Sequence, residues 1–337
     1  MNHFFVSGRW CRCAFVLLTL MLLASCLTGG GRFQQRMCEG GPLYDEPVFK
    51  WQASDGVSVP YSRWLPPKGI RRKGLVIAVP GMDESSNEVA QLGRHLSARG
   101  YEVYSSDLRG QGKDVDSSER GNYHRWRRWV EDVNEFAAHA RDGRKLPIAY
   151  MGHSLGGMVA LSAASAAQGA AAPDALMLYA PAFVLAFPPW YDRPAVTSAQ
   201  LLTLNFGRVT GPALFKLASR NLVSNEPDEA AWERSSDRLC RGFSFRYISV
   251  CFDIGQHARK LPGRICVPVL LQYGKSDATI AMSKRSPEKI RDMFQSRDTE
   301  LWWHPDARAN HDMLNDHLIR KAMLEKASSW LDQRLAK

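Results

Sequence analysis

Tyr150-Met151-Gly152-His153-Ser154-Leu155-Gly156-Gly157 is the stretch whose reading decides the fold. The apolar run Ile148-Ala149-Tyr150-Met151 leads into it as a buried strand, and the small-residue run Met158 to Ala164 leads out as a helix. Between them G-x-S-x-G has the pattern of a nucleophile elbow, a strand-to-helix turn so tight that the serine stands alone at the sheet edge. Flanking glycines fit because a side chain there would strike the neighbouring strand or helix. At Gly and Ser frequencies of roughly 7% each, the pentapeptide occurs by chance in about one chain in ten of this length. Its context therefore has to carry the reading.

Outward from the elbow, strand and helix signals alternate. Gly74 to Pro80, Glu102 to Asp107, Pro147 to Met151, Ala175 to Ala180, Val267 to Gly274 and Thr299 to His304 read as strands. Helices are predicted over Ser86 to Arg99, Trp126 to Arg141, Ser154 to about Ala167 and about His317 to Leu335, and Phe49 to Trp64 reads as a hairpin turning at Asp55-Gly56. This alternation predicts an α/β fold with a mainly parallel sheet covered on both faces. The rhythm breaks over 184–264. A structureless loop of that length inside a domain is improbable, so that stretch is read as an inserted helical cap, with core segments 48–183 and 265–337 on either side.

A serine hydroxyl needs a base beside it and a carboxylate to orient that base. In elbow proteins the chain order is Ser, then Asp or Glu, then His. Asp277 follows the strand ending at Gly274, and His311 follows the strand ending at His304. Both stand at carboxyl ends of strands, where open parallel sheets bind ligands. His153 and His304 are rival bases and Asp253 and Asp306 rival acids; His153 is expected to pack beside the elbow, and Asp107 to brace the turn that follows it.

Pro80-Gly81-Met82-Asp83-Glu84-Ser85-Ser86, Asp107-Leu108-Arg109-Gly110-Gln111-Gly112, Gly152-His153-Ser154-Leu155-Gly156-Gly157, Tyr273-Gly274-Lys275-Ser276-Asp277 and Asn310-His311-Asp312-Met313-Leu314 together resemble the α/β-hydrolase superfamily. Within it they are similar to the monoacylglycerol lipase and lysophospholipase branch, a serine aminopeptidase S33-like group, and the likeness runs from about Val48 to Leu335. The resemblance implies a serine esterase acting on acyl-ester lipids, with Ser154, Asp277 and His311 as catalytic residues. It implies an oxyanion hole made by the backbone N–H groups of Met82 and Leu155, and an acyl pocket supplied by the cap. Two positions depart from the family pattern. Pro80 stands where His is usual and Gln111 replaces the histidine of D-x-R-G-H-G; neither is a triad position. A proline iminopeptidase-like peptidase shares the fold and triad, and Glu226, Asp228, Glu229 and Glu233 keep it open through a possible amine anchor. A non-catalytic envelope lipoprotein using the fold as a binding scaffold is the reading from another class.

The 337 residues carry a formal charge of +10, with 45% hydrophobic and 23% charged residues. That composition is ordinary for a globular protein. The excess of Lys and Arg is spread rather than gathered in a stripe with stacking aromatics, so nucleic acid is not an expected partner. Residues 1–25 read as an export signal, with Arg9 and Arg12 before an apolar stretch, Ala14 to Leu23, too short for a bilayer core of about 30 Å. Leu23-Ala24-Ser25-Cys26 resembles a bacterial lipobox, which implies lipidation of Cys26, a 26–47 tether and an envelope membrane location, the outer membrane favoured by Leu27. A plain secretory signal is the alternative. Export permits a disulfide among Cys38, Cys240, Cys251 and Cys266, with Cys240–Cys251 and Cys251–Cys266 both open. No CxxC or His/Cys ligand spacing points to a metal, no cofactor is implied, and no obligate protein partner is inferred.

Overall fold

A computed structural model of the chain describes residues 48–82, 84–112, 120–183, 208–210, 242–277, 286–316 and 319–335. The strands are β1 (Phe49–Gln52), β2 (Ser58–Trp64), β3 (Gly74–Val79), β4 (Tyr101–Ser106), β5 (Ile148–His153), β6 (Ala175–Tyr179), β7 (Arg208–Thr210), β8 (Gly242–Ser244), β9 (Val269–Tyr273) and β10 (Thr299–Trp303). The helices are α1 (Ala90–Ser97), α2 (Trp126–Arg141), α3 (Ser154–Ala166), α4 (Phe245–Ala258), α5 (Pro287–Arg291) and α6 (Arg320–Arg334). Eight strands form one sheet in the order β1-β2-β4-β3-β5-β6-β9-β10. In this sheet β1–β2 and β2–β4 are antiparallel and the other pairs are parallel, while β7 and β8 form a separate antiparallel pair.

The period of two along each strand sorts the core into two layers. Leu75, Ile77 and Val79, with Ile148, Tyr150, Leu176, Leu178 and Leu271, pack under α2, α3 and α4. Val76, Ala78, Ala149, Met151, Met177 and Leu270 face α1 and α6. Near-continuous apolar strands are what a sheet buried on both faces requires. At the carboxyl edge, Arg109 is sandwiched between Asp55 (2.6 Å) and Asp132 (2.7 Å), and Arg128 joins Asp132 and Glu135. This network fastens the β1–β2 turn to α2.

The structure bears on two points of the sequence reading. The cap was expected to extend to 264, yet α4 packs on α2 and α3 with Tyr247, Ile248 and Ile254 fully buried. It is the covering helix of the crossover from β6 to its parallel neighbour β9, so the core resumes by Phe243. Its length and its apolar face match those of a cap helix, so sequence alone did not separate them. Cys251 and Cys266 are both free thiols, the first buried inside α4's packing and the second exposed, so they form no disulfide with each other. Cys38 and Cys240, the segments 1–25 and 26–47, and most of 184–241 lie outside the described residues.

Candidate active site

Ser154 sits at the junction of β5 and α3 with φ +51°, one of three non-glycine residues with positive φ among those described. A residue other than glycine in this region costs about 1–3 kcal/mol and needs its surroundings to enforce it. Here the enforcement is close packing. A Cβ on Gly156 would lie 2.3 Å from the carbonyl oxygens of Val79 and Pro80, so only glycine lets α3 start against the end of β3. The Ala182 N–H donates to the Ser154 carbonyl at 3.1 Å, tying the turn to the end of β6. Leu155 is the second residue of α3, and its N–H is among the first-turn donors that have no intrahelical acceptor.

Asp277 and His311 arrive from the loops after β9 and β10, which are stitched together. The Ser276 N–H donates to the Ala309 carbonyl at 2.8 Å and the Ser276 hydroxyl to that of Ala307 at 2.6 Å. His311 Nδ1 then meets Asp277 Oδ2 at 2.8 Å, with both side chains buried. A carboxylate only accepts, so Nδ1 carries the proton and Nε2 is left as the basic nitrogen.

His153 and Glu84 complete the arrangement; the sequence reading expected only that His153 packs beside the elbow and gave Glu84 no role. His153 Nδ1 lies 2.7 Å from Glu84 Oε1, and Nε2 lies 3.1 Å from the His311 carbonyl oxygen. Both partners only accept, so both ring nitrogens carry protons and the imidazole is a cation. Burial alone would depress its pKa; the Glu84 charge and hydrogen bond override burial and raise it to about 9. Burial likewise opposes ionisation of Glu84, and the His153 cation holds that carboxyl below its usual range. Glu84 also accepts the Gly81 N–H, which ties the pair to the Pro80–Met82 loop. The spacing of Gly81 and Glu84 was the available signal, but the contact of Glu84 with His153 spans 69 residues.

The rivals are occupied elsewhere. His304 accepts the Asp306 N–H at Nδ1 (3.1 Å) and donates from Nε2 to the Ile319 carbonyl (2.8 Å), which fixes it as a buried strap. Asp306 pairs with Arg308 at the surface, and Asp253 lies on α4 rather than at a strand end. Asp107 accepts the Ser86 N–H at 2.6 Å, joining the loops after β3 and β4. Trp129 is fully buried with its indole N–H on the Arg109 carbonyl, which makes it a packing residue. Met82 is partly buried on the core, its sulfur 3.9 Å from Cys251 Sγ. The acidic residues 226, 228, 229 and 233 are outside the described residues.

Residues 70–317 match the family described as serine aminopeptidase, S33 (Hydrolase_4). The monoglyceride lipase of Saccharomyces cerevisiae is 25% identical over 298 residues, covering 85% of this chain and 94% of its own. That of Homo sapiens is 26% identical over 286 residues, covering 82% and 88%. A solved soluble variant of the yeast monoglyceride lipase, in complex with a substrate analog, superposes with a TM-score of 0.72 at 20% identity, covering 91% of this chain and 99% of that one. The monoacylglycerol lipase of Paleococcus ferrophilus gives 0.66 at 20% identity, covering 82% and 100%. These likenesses establish the α/β-hydrolase fold.

Proposed function

The chain belongs to the Hydrolase_4 (S33) family of α/β-hydrolases, and from that premise we propose that it hydrolyses carboxylic esters of acyl lipids through an acyl-enzyme on Ser154. The carrying observation is the joint geometry: a strained elbow serine at one strand end, and a buried 2.8 Å His311–Asp277 bond reaching the same edge. The family description names a peptidase, whereas the curated relatives matched above are monoglyceride lipases. Those relatives favour a monoacylglycerol ester over an aminoacyl substrate.

In this reading Ser154 Oγ attacks the ester carbonyl carbon while His311 Nε2 takes the hydroxyl proton. Asp277 holds the imidazole in that tautomer and stabilises the imidazolium. The C=O electron pair moves onto oxygen, to which the Leu155 and Met82 N–H groups donate hydrogen bonds; each such donor is worth roughly 10²- to 10³-fold in rate. Collapse expels the alcohol, protonated by His311, and a water activated by the same nitrogen releases the fatty acid and frees Ser154. The chemistry uses no cofactor.

The test is an ester panel of varied chain length and headgroup with aminoacyl amides alongside, run on wild type and Ser154→Ala with fluorophosphonate labelling in parallel. Ester turnover and labelling that both vanish in the variant are the expected result. Turnover unchanged by Ser154→Ala, or preference for the amides, overturns the reading. Failure to label folded wild type favours a binding scaffold. The same reading includes export and lipid attachment at Cys26, motivated by the 1–25 segment and the Leu23 to Cys26 sequence. Loss of membrane association and of fatty-acid label in Cys26→Ser tests it.

A further inference from the structure

Gly81 is held at both ends of its backbone. Its N–H donates to the Glu84 carboxylate, and its carbonyl accepts from Gln111 Nε2 at 3.2 Å. A Cβ at position 81 would come within 2.8 Å of Glu84 Oε1, so glycine is what admits the carboxylate. Gln111 is itself fixed: the residue is 1% exposed, and its backbone N–H donates to the Leu108 carbonyl at 2.9 Å. The loop that carries it is anchored through Asp107 to the Ser86 N–H and to the Pro60 carbonyl.

The next peptide unit joins the Gly81 carbonyl to the Met82 N–H. Peptide bonds among the described residues are all trans, and in a trans peptide the C=O and N–H point in opposite directions. Drawing the Gly81 oxygen toward Gln111 therefore turns the Met82 N–H the other way. Without that hydrogen bond the plane can rotate, because Gly81 imposes little restriction on its own ψ.

We propose that Gln111 is a positioning residue for the oxyanion hole, fixing the Gly81–Met82 peptide so that the Met82 N–H faces the reacting carbonyl oxygen. This rests on the reading of Met82 and Leu155 as the oxyanion donors. It also gives a use to a position that departs from the family: a buried amide here does what a histidine N–H at 111 could also do.

The experiment measures kcat and KM of wild type, Gln111→Leu, Gln111→Asn and Gln111→His on the best ester of the panel, with Ser154→Ala as the inactive control. Affinity for a trifluoromethyl ketone, whose oxyanion occupies the hole, is read alongside. Gln111→Leu is expected to lose about 10²-fold in kcat with KM changed less than about twofold, and to weaken the ketone in parallel. Gln111→Asn, which withdraws the donor by one methylene, loses kcat in the same way and serves if the leucine variant does not fold. Gln111→His recovers most of the loss. Wild-type kcat in either folded variant lacking the donor, or a loss confined to KM, overturns the proposal. Ester turnover that is absent in wild type or survives Ser154→Ala overturns the reading beneath it instead.

Discussion

The imidazole of His153 lies 2.7 Å from the carboxylate of Glu84, and its ring centroid is 4.9 Å from that of His311 with the planes tilted by 41°, so an ion pair with a buried imidazole sits directly behind the proposed base. Through Gly81 on one side and the His311 carbonyl on the other, that pair joins the loop after β3 to the loop after β10. The two loops that have to be in register for acyl transfer are thus fastened to one charge-assisted unit.

Alkaline pH should release that unit. The folded pKa of His153 is raised to about 9 from an ordinary value of 6.5, so its contribution to stability is fully present below about pH 6.5. It is lost as pH rises through about 9, and amounts to about 3 kcal/mol at most. Urea midpoints of wild type are expected to fall between pH 7 and 10, while Glu84→Gln starts lower and changes less. A wild-type midpoint flat over that interval contradicts the pairing.

Asp277→Asn should preserve the fold and remove the function. The amide can donate to His311 Nδ1, which places the imidazole proton on Nε2 and leaves no base facing Ser154. A loss of roughly 10³- to 10⁴-fold in kcat is expected, with little change in thermal midpoint. Stopped assays with a fluorogenic ester resolve the difference, and a loss below tenfold counts against the assigned order.

Gly156→Ala tests the packing that enforces the elbow. The added methyl meets two backbone carbonyl oxygens at 2.3 Å, which cannot swing aside as a flexible side chain would. The start of α3 must shift, costing about 1–3 kcal/mol and displacing both Ser154 and the Leu155 N–H. Calorimetry and kcat should therefore fall together, whereas Ala at the exposed Gly143 has no neighbour to strike and only its positive φ to oppose it.

Thiol labelling separates the described cysteines. Cys266 is exposed, while burial pushes the Cys251 thiol well above its ordinary range, so maleimide should modify Cys266 in the folded protein and Cys251 only on unfolding. Peptide mapping by mass spectrometry reads this directly. Rapid labelling of Cys251 without loss of structure would show that α4 does not pack as described.

Much of this protein was determined by its sequence. Alternating apolar runs separated by amphipathic ones specify strands buried on both faces and helices that cover them, because those periods are set locally by backbone geometry. The hairpin about Asp55-Gly56, the elbow strand and α2 are legible for that reason, and so is the order of Ser154, Asp277 and His311. Tertiary structure decided what depends on distance between remote residues. It joined Asp277 to His311 across 34 positions and Glu84 to His153 across 69, and it gave α4 to the core although its apolar face suits a cap equally well. The charge on His153 belongs to the same class. In sequence it is one residue beside a serine; only contact with the Glu84 carboxylate and the His311 carbonyl oxygen, outweighing the cost of burial, makes it a cation, since both energies depend on what surrounds the ring.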